Sequence, residues 1–173
     1  MAAGRTYTPI ATQKLNSASS TVTFSSIPST YTDLVLIING GNSVAGAEYW
    51  LQFNSDTGSS YSTTVLEGNG TTTGSSRITN TYPTKGIVSA INLVGVATQG
   101  MFIANIQNYA NTTTYKSCLM RLTAQDGLSS YQGTVAAVGL WQSTSAINSI
   151  TINTVGANMN PGTTITLYGI AAA

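Results

Sequence analysis

Histidine is absent from this 173-residue chain, cysteine occurs once, and charge is scarce: six Lys/Arg and five Asp/Glu, 6% of residues. Each shortage excludes something. With no imidazole, a serine or cysteine nucleophile has no histidine base, and no GxSxG stretch occurs. Metal binding shrinks to an oxygen-ligand Ca²⁺ or Mg²⁺ site, and Cys118 alone can form neither an internal disulfide nor a thiolate cage. A formal net charge of +1 leaves no reservoir of cations for neutralising phosphates, which argues against nucleic-acid binding. No apolar run approaches the roughly 20 residues of a membrane-spanning helix. The N-terminal MAAGRTYTPIATQ lacks the apolar stretch of a secretory signal, so the expected product is soluble and unsecreted.

Low charge does not mean disorder here, because 42% of the residues are hydrophobic and disorder needs low hydrophobicity as well. The polar remainder is Ser, Thr, Asn and Gly, the residues of strand edges and turns. Apolar residues come in short runs and nowhere sustain a 3.6-residue period. SITIN (149–153) alternates, with Ile150 and Ile152 on one face, and TTITLYGI (163–170) places Ile165 and Leu167 together. TDLVLIING (32–40) is apolar on both faces from Leu34 to Ile38. YKSCLMRLT (115–123) groups Cys118, Met120 and Leu122, with Lys116 continuing that face outward. Further strands are expected at 22–24, 47–54, 61–67, 86–94, 100–109 and 134–142.

That makes about ten strands with turn signals between them, an all-β sandwich or barrel. A helical turn is weighed only at 105–110 and 143–147. Residues 1–16 have few apolar positions and a proline at position 9. They read as an extended N-terminal arm preceding a single sandwich domain over 17–173.

One pentapeptide, DTGSS (Asp56 to Ser60), spells the surroundings of an aspartic-protease carboxylate. That chemistry needs two carboxylates sharing a proton, and no second DTG or DSG occurs. Asn54 and Ser55, before Asp56, are polar where such a site is fed by an apolar strand. NSDTGSS is therefore expected as a hairpin loop between strands 47–54 and 61–67, with a Ca²⁺ loop on Asp56 and Asn54 as the weaker alternative. The acids Asp33, Glu48, Asp56, Glu67 and Asp126 are dispersed, without a recognisable glycosidase pair. Cys118 reads as a small buried hydrophobe. Tyr49 and Trp50 are adjacent and point to opposite faces of a strand, so one of them is expected to be an exposed aromatic contact. Trp141 reads as core.

Several segments in matching order carry a resemblance: RTYTPIATQ, TVTFSSIPSTYTDLVLIING, FNSDTGSSYS, NYANTTTYKS and INSITIN…GTTITLYGI. From about Arg5 to Ile170 the chain resembles small virion proteins of tailed bacteriophages, particularly those infecting cyanobacteria and other aquatic bacteria. The resemblance implies a jelly-roll-like antiparallel β-sandwich of about eight to ten strands mounted on the particle. It implies a non-enzymatic capsid decoration (cement) protein on the outside of the head, or else a tail or fibre component carrying a glycan-binding domain. It carries no catalytic, metal or cofactor residues. The expected partners are the major capsid protein and copies of the chain itself, as a homotrimer, with neither nucleic acid nor membrane. Expected contacts to the capsid or a neighbour are Arg5, Tyr7, Pro9 and Ile10 of the arm, laid on a neighbour's sheet edge, with a place in the domain's own sheet as the alternative, and Tyr49 and Trp50 as exposed aromatics.

Overall fold

The structure, a computed structural model, describes residues 6–44, 47–68, 71–79, 87–88, 100–124 and 133–171. Twelve strands are formed among these: β1 (Tyr7–Lys14), β2 (Thr21–Phe24), β3 (Asp33–Gly40), β4 (Tyr49–Phe53), β5 (Tyr61–Gly68), β6 (Thr73–Thr79), β7 (Ile87–Val88), β8 (Gly100–Ile106), β9 (Lys116–Ala124), β10 (Gly133–Trp141), β11 (Ile150–Thr154) and β12 (Thr164–Ile170). No helix occurs among the described residues; of 105–110, weighed as a helical turn, 105–106 end a strand and 107–110 are a non-helical turn, and 143–147 is irregular.

The strands form an eight-stranded sheet, β1-β12-β3-β8-β9-β10-β5-β6, and a four-stranded sheet, β2-β11-β4-β7. All pairings are antiparallel. The first four neighbours of the large sheet and the whole small sheet make a jelly roll. The chain passes between the two sheets at every step from β1 to β5, then from β6 to β7 to β8, and again from β10 to β11 to β12. Two further antiparallel pairs, β5–β6 and β9–β10, extend the large sheet beyond β8. The expected jelly-roll-like sandwich is thus observed, enlarged on one side.

Alternation explains the packing. Ile150 and Ile152 of β11, Val22 and Phe24 of β2, and Leu51 and Phe53 of β4 point inward from the small sheet. They meet Leu34, Leu36 and Ile38 of β3, Phe102 and Ala104 of β8, and Ile165 and Leu167 of β12 in one buried cluster. The same cluster continues under the added strands through Cys118, Met120, Leu122, Val135, Ala137, Trp141 and Val65.

Three expectations are corrected. Residues 7–14 are not an arm reaching for a neighbour. They form β1, paired from Tyr7↔Ile170 to Lys14↔Thr164 with the protein's own β12, and the register shifts between Pro9 and Ala11. An extended segment with few apolar groups satisfies its backbone on the nearest open edge, and Pro9, which lacks a donor, sits at an edge-strand irregularity. Ile10, Ala11 and Leu15 pack against the core.

The second correction concerns NSDTGSS, which is no hairpin. β4 pairs with β11 and β7, whereas β5 pairs with β10 and β6, so the loop is a corner carrying the chain between sheets. The third is β6, which is absent from the expected strands because TGSSRIT offers only Ile78 as an apolar residue. Of the strand expected at 86–94, only Ile87–Val88 falls within the described residues.

Candidate interaction surface

The residues with chemical potential are absorbed by structure. In the β4–β5 corner, Asp56 Oδ1 accepts the Gly58 N–H at 2.8 Å, while Oδ2 accepts the Ser60 hydroxyl at 2.5 Å and the Trp141 indole N–H at 2.6 Å. Partial burial pushes this carboxyl's pKa up, but the three hydrogen bonds together outweigh it and leave it below the usual carboxylate range. The left-handed backbone falls on Asn54 and Ser55, at φ 50° and 55°. Asn54 spends its amide on the Ala146 carbonyl and its Oδ1 on the N–H groups of Asn148 and Ser149, so both side chains proposed for a Ca²⁺ loop serve the corner. Among the described residues no three His, Cys, Asp or Glu side chains gather as a metal site would require.

Cys118 is fully buried, which raises its thiol pKa far above the ordinary value. Lys116 departs from its expected outward position: only 1% of its surface is exposed. Its ammonium donates to the carbonyls of Thr114 (2.7 Å) and Thr144 (3.2 Å), and burial lowers its pKa.

The expected contact residues separate. Arg5 lies outside the described residues. Tyr7 is exposed and meets the Tyr168 ring edge-on at 6.2 Å. Pro9 is exposed and Ile10 half-buried. The expectation that Tyr49 or Trp50 is an exposed contact is corrected, since both are buried, at 2% and 4% exposure. Tyr49 faces the core against Phe102, and Trp50, on the opposite face of β4, is covered by the chain itself.

The surface that stands out is the outer face of the eight-stranded sheet. Directly opposed residues on neighbouring strands share a face, and the registers align rows across it. One row runs Tyr168, Val35, Asn105, Leu119, Val138, Thr64, Arg77; the next runs Thr166, Ile37, Ile103, Arg121, Ala136, Leu66, Ser75. Among the described residues eight large apolar side chains are exposed, and five of them, Tyr7, Leu66, Met101, Leu119 and Val138, lie here. Leu66, Leu119 and Val138 line a shallow hollow of about 360 Å³. A second hollow, about 320 Å³, lies between Tyr7, Val35 and Leu119.

The other outer face is different in kind. On β2 and β11 it presents Thr21, Thr23, Thr151 and Asn153, whose side chains bond one another in pairs, Thr21 to Asn153 and Thr23 to Thr151, each at 3.0 Å. These four side chains satisfy one another. The apolar face was only half visible in the sequence. TVAAVGLW shows apolar residues on both faces of a strand, but the long-range pairing that sets Leu66 beside Ala136 is not written locally.

No family model matches this sequence, and no curated protein matches it significantly.

Proposed function

We propose that this protein is a non-enzymatic structural protein that works by docking, through the outer face of its eight-stranded sheet, onto a larger assembly. The observation that carries this reading is the concentration of exposed Tyr7, Leu66, Met101, Leu119 and Val138 on one sheet face. Clustered apolar exposure on a sheet face is the mark of an interaction site, whereas single exposed apolar residues are ordinary. The roles taken by Asp56, Cys118 and Lys116 in holding the fold agree with a protein that performs no chemistry.

The resemblance to tailed-phage virion proteins supplies the setting: a decoration protein on the outside of the capsid, in contact with the major capsid protein and assembled as a homotrimer, made in the host cytoplasm. Particles of the phage encoding the chain, purified and quantified by gel densitometry, test this. Hundreds of copies per particle are expected. A few to a few dozen copies would move the protein to the tail, and its absence from particles would overturn the reading.

A further inference from the structure

We infer that the outer face of the eight-stranded sheet docks onto a flat, apolar protein surface that carries carboxylates, and not onto the same face of a second copy. This deepens, and rests on, the docking function proposed above.

Size comes first. Eight strands (β1-β12-β3-β8-β9-β10-β5-β6) spaced about 4.8 Å apart make a face roughly 34 Å wide, and seven residues at about 3.4 Å make it roughly 24 Å tall. The resulting area, on the order of 800 Å², equals what one partner contributes to a stable standard-size interface. The face is broad enough to hold a partner alone.

Charge then chooses the partner. Among the described residues, the charged ones on this face are Lys14, paired with Thr164; Arg77, paired with Thr64; Arg121, paired with Ile103 and Ala136; and Asp33, paired with Ile170. Three cations and one acid leave these described residues of the face at +2, on a chain whose total is only +1. Asp33 already accepts the Asn108 N–H at 2.6 Å. Two copies packed face to face would set six cations against two carboxylates, and like charges brought together in an interface are strongly unfavourable. Arg121 is exposed amid Leu119, Ala136 and Leu66, near the middle of the face, where an unmatched guanidinium would be desolvated without a partner. A carboxylate there can accept a bidentate bond from it.

A membrane is the poorer fit. Lipid-binding faces gather about four to eight Lys/Arg close together. Here Lys14, Arg121 and Arg77 are four and then three strands apart, roughly 19 and 14 Å, among Ser and Thr rows that suit hydrogen-bonded protein contact.

The test places a photo-cross-linking residue at Val138 in the full chain, irradiates both producing cells and purified particles, and identifies the linked peptides by mass spectrometry. Adducts on another protein, at peptides with Asp or Glu beside the linked position, are the expected result. Adducts on this chain's own Leu66, Leu119 or Val138 peptides, on lipid, or on no partner at all would overturn the inference. If the chain proves absent from particles, the proposed setting fails, and the adducts formed in cells still decide the partner's chemistry. Alongside, Arg121→Glu is expected to weaken partner retention by about tenfold or more while Arg121→Lys retains most of it; equal retention by both would count against the carboxylate. Sedimentation velocity of the free chain should show the same oligomeric state for wild type and Leu119→Ser/Val138→Ser, and dissociation of an oligomer by these changes would favour the second copy instead. Co-sedimentation of the free chain with phosphatidylcholine–phosphatidylglycerol vesicles would likewise sink it.

Discussion

The carboxylate of Asp56 accepts the indole N–H of Trp141, 85 residues further along the chain, at 2.6 Å. This bond ties the corner between the two sheets to the end of β10, where the Trp141 ring lies stacked on Tyr61 and tilted against Phe53. The Tyr61 hydroxyl in turn reaches the Phe53 and Asp56 carbonyls, at 3.3 and 3.2 Å. A motif that spells a protease is here a clamp on a tryptophan.

The first prediction follows from that clamp. Asp56→Asn removes a charged acceptor serving three donors and is expected to cost about 1–2 kcal/mol, a fall of roughly 2–8 °C in melting temperature for a domain of this size. Because the folded-state pKa of Asp56 is lowered, the ionised form contributes stability that is fully present above the unfolded value of about 3.9. That contribution is lost as pH falls through the folded value. Urea titrations between pH 5 and 2 should show a shallower acid limb in the variant. Identical limbs would mean the clamp contributes nothing.

Lys116 leads to a second prediction, of opposite sign. Burial lowers its folded pKa, so in the window below the unfolded value of about 10.4 the unfolded chain binds the proton more tightly. Stability from this group therefore rises with pH through that window. Lys116→Met keeps the volume and drops the buried charge. At pH 7 it is expected to equal the wild type or exceed it by about 1 kcal/mol, with the difference narrowing toward pH 10. Chemical denaturation at pH 7 and 9.5 measures this. A loss of more than about 3 kcal/mol would show that the bonds to the Thr114 and Thr144 carbonyls outweigh the cost of burial.

Deleting residues 2–12 removes most of β1 and bares the β12 edge. Ile10 and Ala11 leave the core margin with it. The expected outcome is a lower melting temperature and aggregation through the newly exposed edge, read by thermal scanning with light scattering. A soluble fragment with unchanged melting temperature would contradict the assignment of β1 to the domain's own sheet.

At Gly169, a Cβ would run into the Tyr31 ring. Gly169→Ala should destabilise by about 1–3 kcal/mol through overpacking, and markedly less in a Tyr31→Ala background, where the ring is gone. Equal costs in the two backgrounds would show that the ring is not what the glycine accommodates.

Much of the fold was legible because strand burial is a local, period-two property. Ile150, Ile152, Ile165, Leu167, Leu34, Leu36 and Ile38 read as core and are all at most 1% exposed. Cys118 and Trp141 read as buried and are. β6 was missed because TGSSRIT carries no alternation of hydrophobicity; it is a strand by pairing with β5. Lys116 was misplaced because its period put it on the inward face while its charge suggested solvent. Period won, since two carbonyls were near enough to take its ammonium. Trp50 shows the reverse failure: alternation names its face of β4 but cannot say that the chain itself covers that face.

Composition and period alone determined that this chain is all-β, a sandwich or a barrel with an apolar core, and that DTGSS is a turn without a second carboxylate to work with. Both follow from short-range facts, namely which residues alternate and which side chains are missing. Only the tertiary structure decided that the first strand belongs to the domain's own sheet and that DTGSS is a corner between sheets and not a hairpin. It also decided that Leu66, Leu119, Val138 and Tyr7 share one exposed face. Each of these depends on which strands become neighbours, and that is set by closing loops of up to about 160 residues between β1 and β12, a long-range choice that no local pattern encodes.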